Sequence, residues 1–334
     1  MSISTKRAAM ASVATLALLA WPPANARELQ VVSTFSIISD FARNVGGERI
    51  ALTTLVGPNG DTHSYEPKPA DAVAVGRADV VLANGLHFEG FVERLVQASN
   101  STAPVIALTQ GVELLRNAGD EDHSHEGHDH DDHDHPHAQE HAGLRDHDHA
   151  KEHAHHHGEY DPHAWQSVRN AQVYVHNIAK AFCAADAAGC PSYRANARSY
   201  EEKLQALETE LKTAVAQIPA SQRTVITSHD AFGYLGRAYG LQFLAPQGLS
   251  TGSEASAAGV ALLIQQIKAR KASAIFLENV SNPRLMQQIA SETGMKIGGK
   301  LYSDALSPAD GPASTYIDMM QHNVSTIRDA VLGR

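Results

Sequence analysis

Hydrophobic positions along this chain switch repeatedly between a strand period and a helix period. Leu29 to Thr34 alternates and is rich in β-branched residues, which predicts a first strand. Phe35, Ile38, Phe41 and Val45 then share one helical face, and Gly46 and Gly47 end it. A second strand is expected over Ile50 to Val56, followed by a turn-rich break from Gly57 to Asp61 and then His63. A helix from Ala70 to Val75, a buried strand from Ala78 to Ala83, a helix from Phe88 to Gln97 and a short strand from Pro104 to Leu108 complete one unit. After a long polar stretch, helices are expected over Val168 to Ala184 and Pro191 to Ile218. The pattern then restarts with strands at Arg223 to Thr227, Leu241 to Ala245, Ala274 to Glu278 and Lys296 to Leu301. Helices lie between them, and a closing one runs from Pro312 to Val331. Strand–helix alternation of this kind predicts an α/β fold with two Rossmann-like parallel-sheet lobes, residues 27–190 and 219–334, joined by a long helix over 191–218. Ligands of open parallel sheets bind at the carboxyl ends of the strands, so the cleft between the lobes is the expected site.

Composition changes this picture in one place. Hydrophobic residues make up 43% of the 334 and aromatics 6%, which fits a soluble α/β protein. The formal charge of −10 comes almost entirely from residues 120–160, where thirteen carboxylates face only Arg145 and Lys151. Nothing basic enough for nucleic acid remains. The same segment holds fourteen of the 20 histidines: His123, His125, His128, His130, His133, His135, His137, His141, His147, His149, His153, His155, His156 and His157. With almost no apolar residues to offset ordering entropy, it is expected to be a flexible loop inside the first lobe. Imidazole and carboxylate at this density bind borderline divalent metals such as Zn²⁺, with Cu²⁺ and Ni²⁺ incidental.

The N-terminus reads as a secretory signal over residues 1–26. Lys6 and Arg7 precede an apolar run from Ala8 to Ala20, and Ala24-Asn25-Ala26 offers small residues for cleavage. The run is short for a membrane span, and no cysteine at the cleavage point supports a lipid anchor. A free periplasmic chain is therefore expected. Cys183 and Cys190, seven residues apart in an exported chain, are expected to pair, free thiols being the alternative.

Outside the loop stand His63, His87, His163, His176, His229 and His322. His63, His163 and His229 lie on connections rather than on apolar helical faces, and Asp304 follows the last strand. Three imidazoles and a carboxylate would form an N₃O set suited to Zn²⁺, although their separation in sequence does not establish it. The motifs that carry these residues are Gly60-Asp61-Thr62-His63-Ser64-Tyr65-Glu66-Pro67, Asp161-Pro162-His163-Ala164-Trp165, Ser228-His229-Asp230-Ala231-Phe232 and Tyr302-Ser303-Asp304-Ala305-Leu306. In order and position they resemble the four metal motifs of the periplasmic zinc- and manganese-binding solute-binding proteins of ABC importers (the cluster A-I type). The resemblance implies a rigid connecting helix, a metal in the interlobe cleft, and His63, His163, His229 and Asp304 as ligands. It also implies capture of Zn²⁺ as transported ligand and delivery to a membrane permease. Members of manganese type resemble the pattern but place a carboxylate where His229 stands, so the third imidazole favours Zn²⁺.

Glu278, at a strand end, is expected either to orient a ligand imidazole or to bond a backbone turn, and Asp230 invites the same pair of readings. His87 is placed near the cleft mouth but outside the ligand set, and His176 and His322 on helix surfaces. The alternatives are a manganese or other divalent-metal solute-binding protein, or a periplasmic zinc buffer or chaperone whose loop does the binding. A secreted zinc hydrolase would need an open coordination position and a His-Glu-x-x-His element. His125-Glu126-Gly127-His128 has the wrong spacing, so no enzyme is expected. A monomer served by a periplasmic metallochaperone completes the expectation.

Overall fold

The computed structural model describes residues 27–117 and 158–334; the expected signal segment 1–26 and all fourteen loop histidines, from His123 to His157, lie outside the described residues. The first unit runs β1 (Leu29–Phe35), α1 (Ser36–Gly46), β2 (Ile50–Val56), α2 (Pro69–Arg77), β3 (Val80–Ala83), α3 (Val92–Ser99) and β4 (Val105–Ala107). Helices α4 (Val168–Ala185) and α5 (Cys190–Ala216) follow. The second unit is β5 (Thr224–Ile226), α6 (Gly233–Tyr239), β6 (Gln242–Leu244), α7 (Ala257–Arg270), β7 (Ala274–Glu278), α8 (Arg284–Thr293), β8 (Ile297–Leu301) and α9 (Tyr316–Leu332).

Each unit forms a four-stranded parallel sheet, in the orders β2-β1-β3-β4 and β6-β5-β7-β8. The two orders have the same wiring: the chain crosses to one side of its first strand, then to the other. The crevice opens at the carboxyl ends of the strands flanking that reversal. Two α/β lobes with parallel sheets are thus present as the sequence pattern indicates. Strand β1 departs from simple alternation, because Ser33 and Thr34 are as buried as Val31 and Val32. Helices cover both faces of a parallel sheet, so its central strand has no solvent side.

Helix α3 starts later than its apolar spacing suggests. Gly85, Leu86 and His87 all adopt positive φ, at 88°, 54° and 60°, which no helix accommodates. The buried Glu89 carboxylate holds this turn by accepting hydrogen bonds from the backbone N–H of Asn84 (2.6 Å) and Gly85 (3.2 Å) and from the Thr34 hydroxyl (2.7 Å). A disulfide between Cys183 and Cys190 links the end of α4 to the start of α5.

The hydrophobic interior is shared unequally. One large core takes the first sheet, α1, α4, α5 and α9, and extends to Phe232, Leu235 and Phe276 of the second unit. A small second cluster, Ile226, Leu263, Ile267, Ile275, Met286, Ile289 and Ala290, lies beneath α7 and α8. The spacing of Met319, Met320, Val324 and Ile327 marks the buried face of α9. What the sequence does not indicate is that this face packs partly on the opposite lobe. Asp40 of α1 makes that contact specific, its Oδ2 accepting from the Tyr316 backbone N–H (3.0 Å) and the Tyr200 hydroxyl (3.3 Å). Burial pushes the Asp40 carboxyl above its ordinary pKa, against the lowering effect of those two donors. Asp40→Ala would strand two donors and is expected to cost about 1–3 kcal/mol in denaturant unfolding, whereas Asp40→Asn, which keeps an acceptor, should cost clearly less.

Candidate metal centre

His63, His229 and Asp304 each follow a strand, at the carboxyl edge of a sheet, and His163 lies on the connection into α4. His63 follows β2 in a turn where Asp61 Oδ1 accepts the His63 backbone N–H (3.0 Å). Asp61 Oδ2 accepts the hydroxyls of Ser64 (2.7 Å) and, from the other lobe, Thr251 (2.7 Å). His163 sits in a similar Asp-x-His turn with one more bond. Asp161 Oδ1 accepts the His163 backbone N–H at 2.9 Å and lies 2.7 Å from its Nδ1. His229 follows β5, and Glu278 ends the neighbouring β7. Glu278 Oε1 accepts the backbone N–H of Ser228 (2.7 Å) and His229 (3.0 Å), while Oε2 lies 2.6 Å from His229 Nδ1. Asp304, just past β8, is fully buried.

The fold brings these four together. One ligand atom from each of His63, His163, His229 and Asp304 lies within 4.8 Å of all the others. Asp304 Oδ2 is 3.1 Å from His229 Nε2 and 3.4 Å from His63 Nε2, and its Oδ1 is 3.7 Å from His163 Nε2. His63 Nε2, His163 Nε2 and Asp304 Oδ1 are buried and make no hydrogen bond. Buried polar atoms are normally satisfied, so atoms left open and pointing at one another mark a place where a ligand supplies the bond. A carboxylate at Nδ1 keeps the proton there and leaves the Nε2 lone pair free for a cation. That arrangement holds for His163; at His229 the Glu278 carboxylate faces Nδ1 at 2.6 Å and Asp304 Oδ2 faces Nε2 at 3.1 Å.

Electrostatics and surroundings agree with such a role. Burial alone would lower the His229 pKa, but the charges of Glu278 and Asp304 together raise it well above the ordinary value. Burial would raise Asp304, yet His229 and His163 hold it well below the carboxylate range. The Phe88 ring packs 4.7 Å from His63 and 5.7 Å from His163, and the Trp165 ring 5.3 Å from His163. Aromatic walls exclude water and strengthen the interactions inside.

Both readings of Glu278 are met at once, since one oxygen holds the backbone turn and the other faces the imidazole. Asp230 is exposed, and its backbone N–H bonds Gly248 instead. His87 is exposed on the wall of a cavity of about 460 Å³ that also reaches His63. His176 is exposed on α4, and His322 lies 3.0 Å from the Lys300 carbonyl; neither approaches the cluster. Sequence reasoning missed Asp161 and Asn84 as positioning groups. Asn84 Nδ2 donates to the Pro162 carbonyl at 2.9 Å, beside His163. The repeated Asp-x-His at Asp61–His63 and Asp161–His163 was the available signal for Asp161; nothing local marks Asn84.

Two parallel α/β lobes with a polar cluster buried in their cleft define a solute-binding architecture, and the comparisons agree. Residues 31–330 match the family described as ZnuA, zinc-uptake complex component A, periplasmic, and the chain belongs to that family. It is 31% identical over 92% of its length to the iron-binding protein YfeA of Yersinia pestis, covering 87% of that protein. It is 32% identical over 89% of its length to the manganese-binding lipoprotein MntA of Halalkalibacterium halodurans, again covering 87%. Among solved structures, the periplasmic zinc-binding protein TroA of Treponema pallidum superposes with a TM-score of 0.75 at 28% identity, over 91% of this chain and 99% of that one. The family consists of metal-binding substrate-binding proteins of ABC importers, which work with a membrane permease and an ATPase rather than as enzymes.

If Glu278 orients His229, Glu278→Gln should weaken divalent-metal binding about 10–100-fold in chelator competition, with the far-ultraviolet circular dichroism unchanged. Asp230→Asn, which removes a charge near His163 and His229 but no bond to either ring, should weaken affinity far less.

Proposed function

We propose that this protein captures Zn²⁺ with His63, His163, His229 and Asp304 and delivers it to the permease of an ABC zinc importer. The observation that carries the reading is the buried N₃O donor set, with carboxylates behind two of its imidazoles. A tetrahedral Zn²⁺ with bonds near 2.0 Å places its ligand atoms about 3.3 Å apart, and the Asp304 oxygens lie 3.1 to 3.7 Å from the three imidazole nitrogens. Four protein ligands fill the coordination sphere and leave no position for a reacting water, which suits carriage rather than catalysis. Manganese or another divalent metal is the second reading, favoured by the manganese named for MntA and the iron named for YfeA. The third imidazole at His229 counts for the borderline ion over the harder one.

In the same proposal, residues 1–26 are an export signal and the protein works in the periplasm. The chain divides into a first lobe at 27–190, a connecting helix at 191–218 and a second lobe at 219–334. The histidines of 120–160 act as an auxiliary collector, and a periplasmic metallochaperone is a candidate donor. The fourteen loop histidines are additional weak sites, so a chain lacking residues 120–158 should keep one tight equivalent. Its loss on that deletion would favour the buffer reading.

Metal content and competitive affinity of His63→Ala, His163→Ala, His229→Ala and Asp304→Ala test the assignment. Each should lose tight Zn²⁺, and one tight equivalent retained by His163→Ala would overturn it. Parallel titration with Mn²⁺ separates the two metals.

Proton linkage gives a second test. His229 has a raised pKa without metal, so it holds a proton below that value, and the metal must displace it. Affinity should therefore fall as pH drops and level only above the raised pKa. Calorimetry in buffers of different ionisation enthalpy should show proton release at neutral pH.

A further inference from the structure

We propose that His87 is a transient metal ligand at the mouth of the cleft cavity, taking a divalent cation from solvent and passing it to His63. The proposal rests on the reading of the four buried residues as the capture site.

Three independent observations lead there. First, the cavity of about 460 Å³ is lined by both His63 and His87, so the two imidazoles share one aqueous space. Three of the four candidate ligands are fully buried and His63 nearly so, while His87 is exposed. An ion arriving from solvent through this opening meets His87 outside and His63 within. Second, the backbone is held in an unfavourable shape to present His87. Leu86 and His87 are consecutive left-handed residues, and a leucine has no intrinsic preference for that region. The turn persists because the buried Glu89 carboxylate takes two of its backbone N–H groups, and strain maintained this way concentrates at functional positions. Third, the donors are not anchored alike. His163 and His229 each have a carboxylate at Nδ1, whereas His63 has none there, because Asp61 on its own turn is occupied by the His63 backbone N–H and by Ser64 and Thr251. His63 is thus the ligand freest to turn toward an incoming ion.

A relay residue lowers the barrier in both directions and leaves the end state alone. The signature is kinetic: slower filling and slower release with equal affinity. Trp165 provides the readout, because its buried ring packs on His163 and the second tryptophan of the chain, Trp21, lies in the N-terminal segment. Stopped-flow Trp165 emission would follow Zn²⁺ filling the full chain, and emission after excess EDTA would follow its release. His87→Asn keeps a residue tolerant of the left-handed turn and removes the imidazole, His87→Ala removes it outright, and His176→Ala is the control. Both His87 variants are expected to fill and empty at least about fivefold more slowly, with the dissociation constant and the His176→Ala rates unchanged. Unaltered rates in both variants would overturn the proposal. A loss of affinity carried wholly by faster release would overturn it too, by making His87 a fifth ligand of the resting site. If the wild-type chain itself takes up no tight Zn²⁺, the capture reading fails and the relay with it. Intact affinity with unaltered rates removes the relay alone.

Discussion

A carboxylate without solvent exposure is tolerable only when its charge is answered at short range, and Asp304 is answered by groups from both lobes. His63 and His163 come from one side and His229 from the other. The turn that carries Asp304 is itself clasped by the first lobe. The Ser303 carbonyl accepts from Trp165 Nε1 (2.9 Å) and Gln166 Nε2 (2.8 Å). The Leu306 backbone N–H donates to Ser36 Oγ at 2.9 Å, and the Asn59 N–H donates to the Leu306 carbonyl at 2.9 Å. Lobe docking and donor assembly are therefore one event.

Within that constraint the donors are supported unevenly. Two imidazoles are fixed by Asp161 and Glu278, each of which also binds the backbone of the residue it orients. A single carboxylate thereby sets both where the ring starts and which way it turns. Asp61 holds only the backbone of His63, not its ring. On the proposed reading, the anchored imidazoles would set the geometry an ion must accept and His63 would be the one that adjusts to it.

Much of this was legible in the residues. Period-two and period-3.6 patterns located the strands and most helices, because a parallel sheet between helices imposes those periods directly. The four donors were legible only as motifs: their ends of four different segments meet through topology, which no local pattern encodes. The start of α3 was missed because Phe88 and Phe91 have helical spacing, while the left-handed turn before them is held by Glu89, which binds the Asn84 and Gly85 N–H groups and is itself fixed by Thr34. The destination of α9 was missed for a related reason. Periodicity shows which face is buried and not which partner buries it. Asp161 was visible within its motif, but its bond to the ring depends on a rotamer.

The unequal division of the core has a consequence for how the molecule breathes. The face of the second sheet under α7 and α8 rests on a small cluster of its own, separate from the large interior that holds α1, α4, α5 and α9. A patch with so few buried apolar residues is expected to be less stable locally and to open before the large interior does. The segment leading into α7, including Leu249, Ser250 and Ser253, is one wall of the cleft cavity. The opposite wall, with Phe88, belongs to the large interior. The passage to the donors thus has one firm side and one yielding side, and thermal fluctuation alone would widen it asymmetrically.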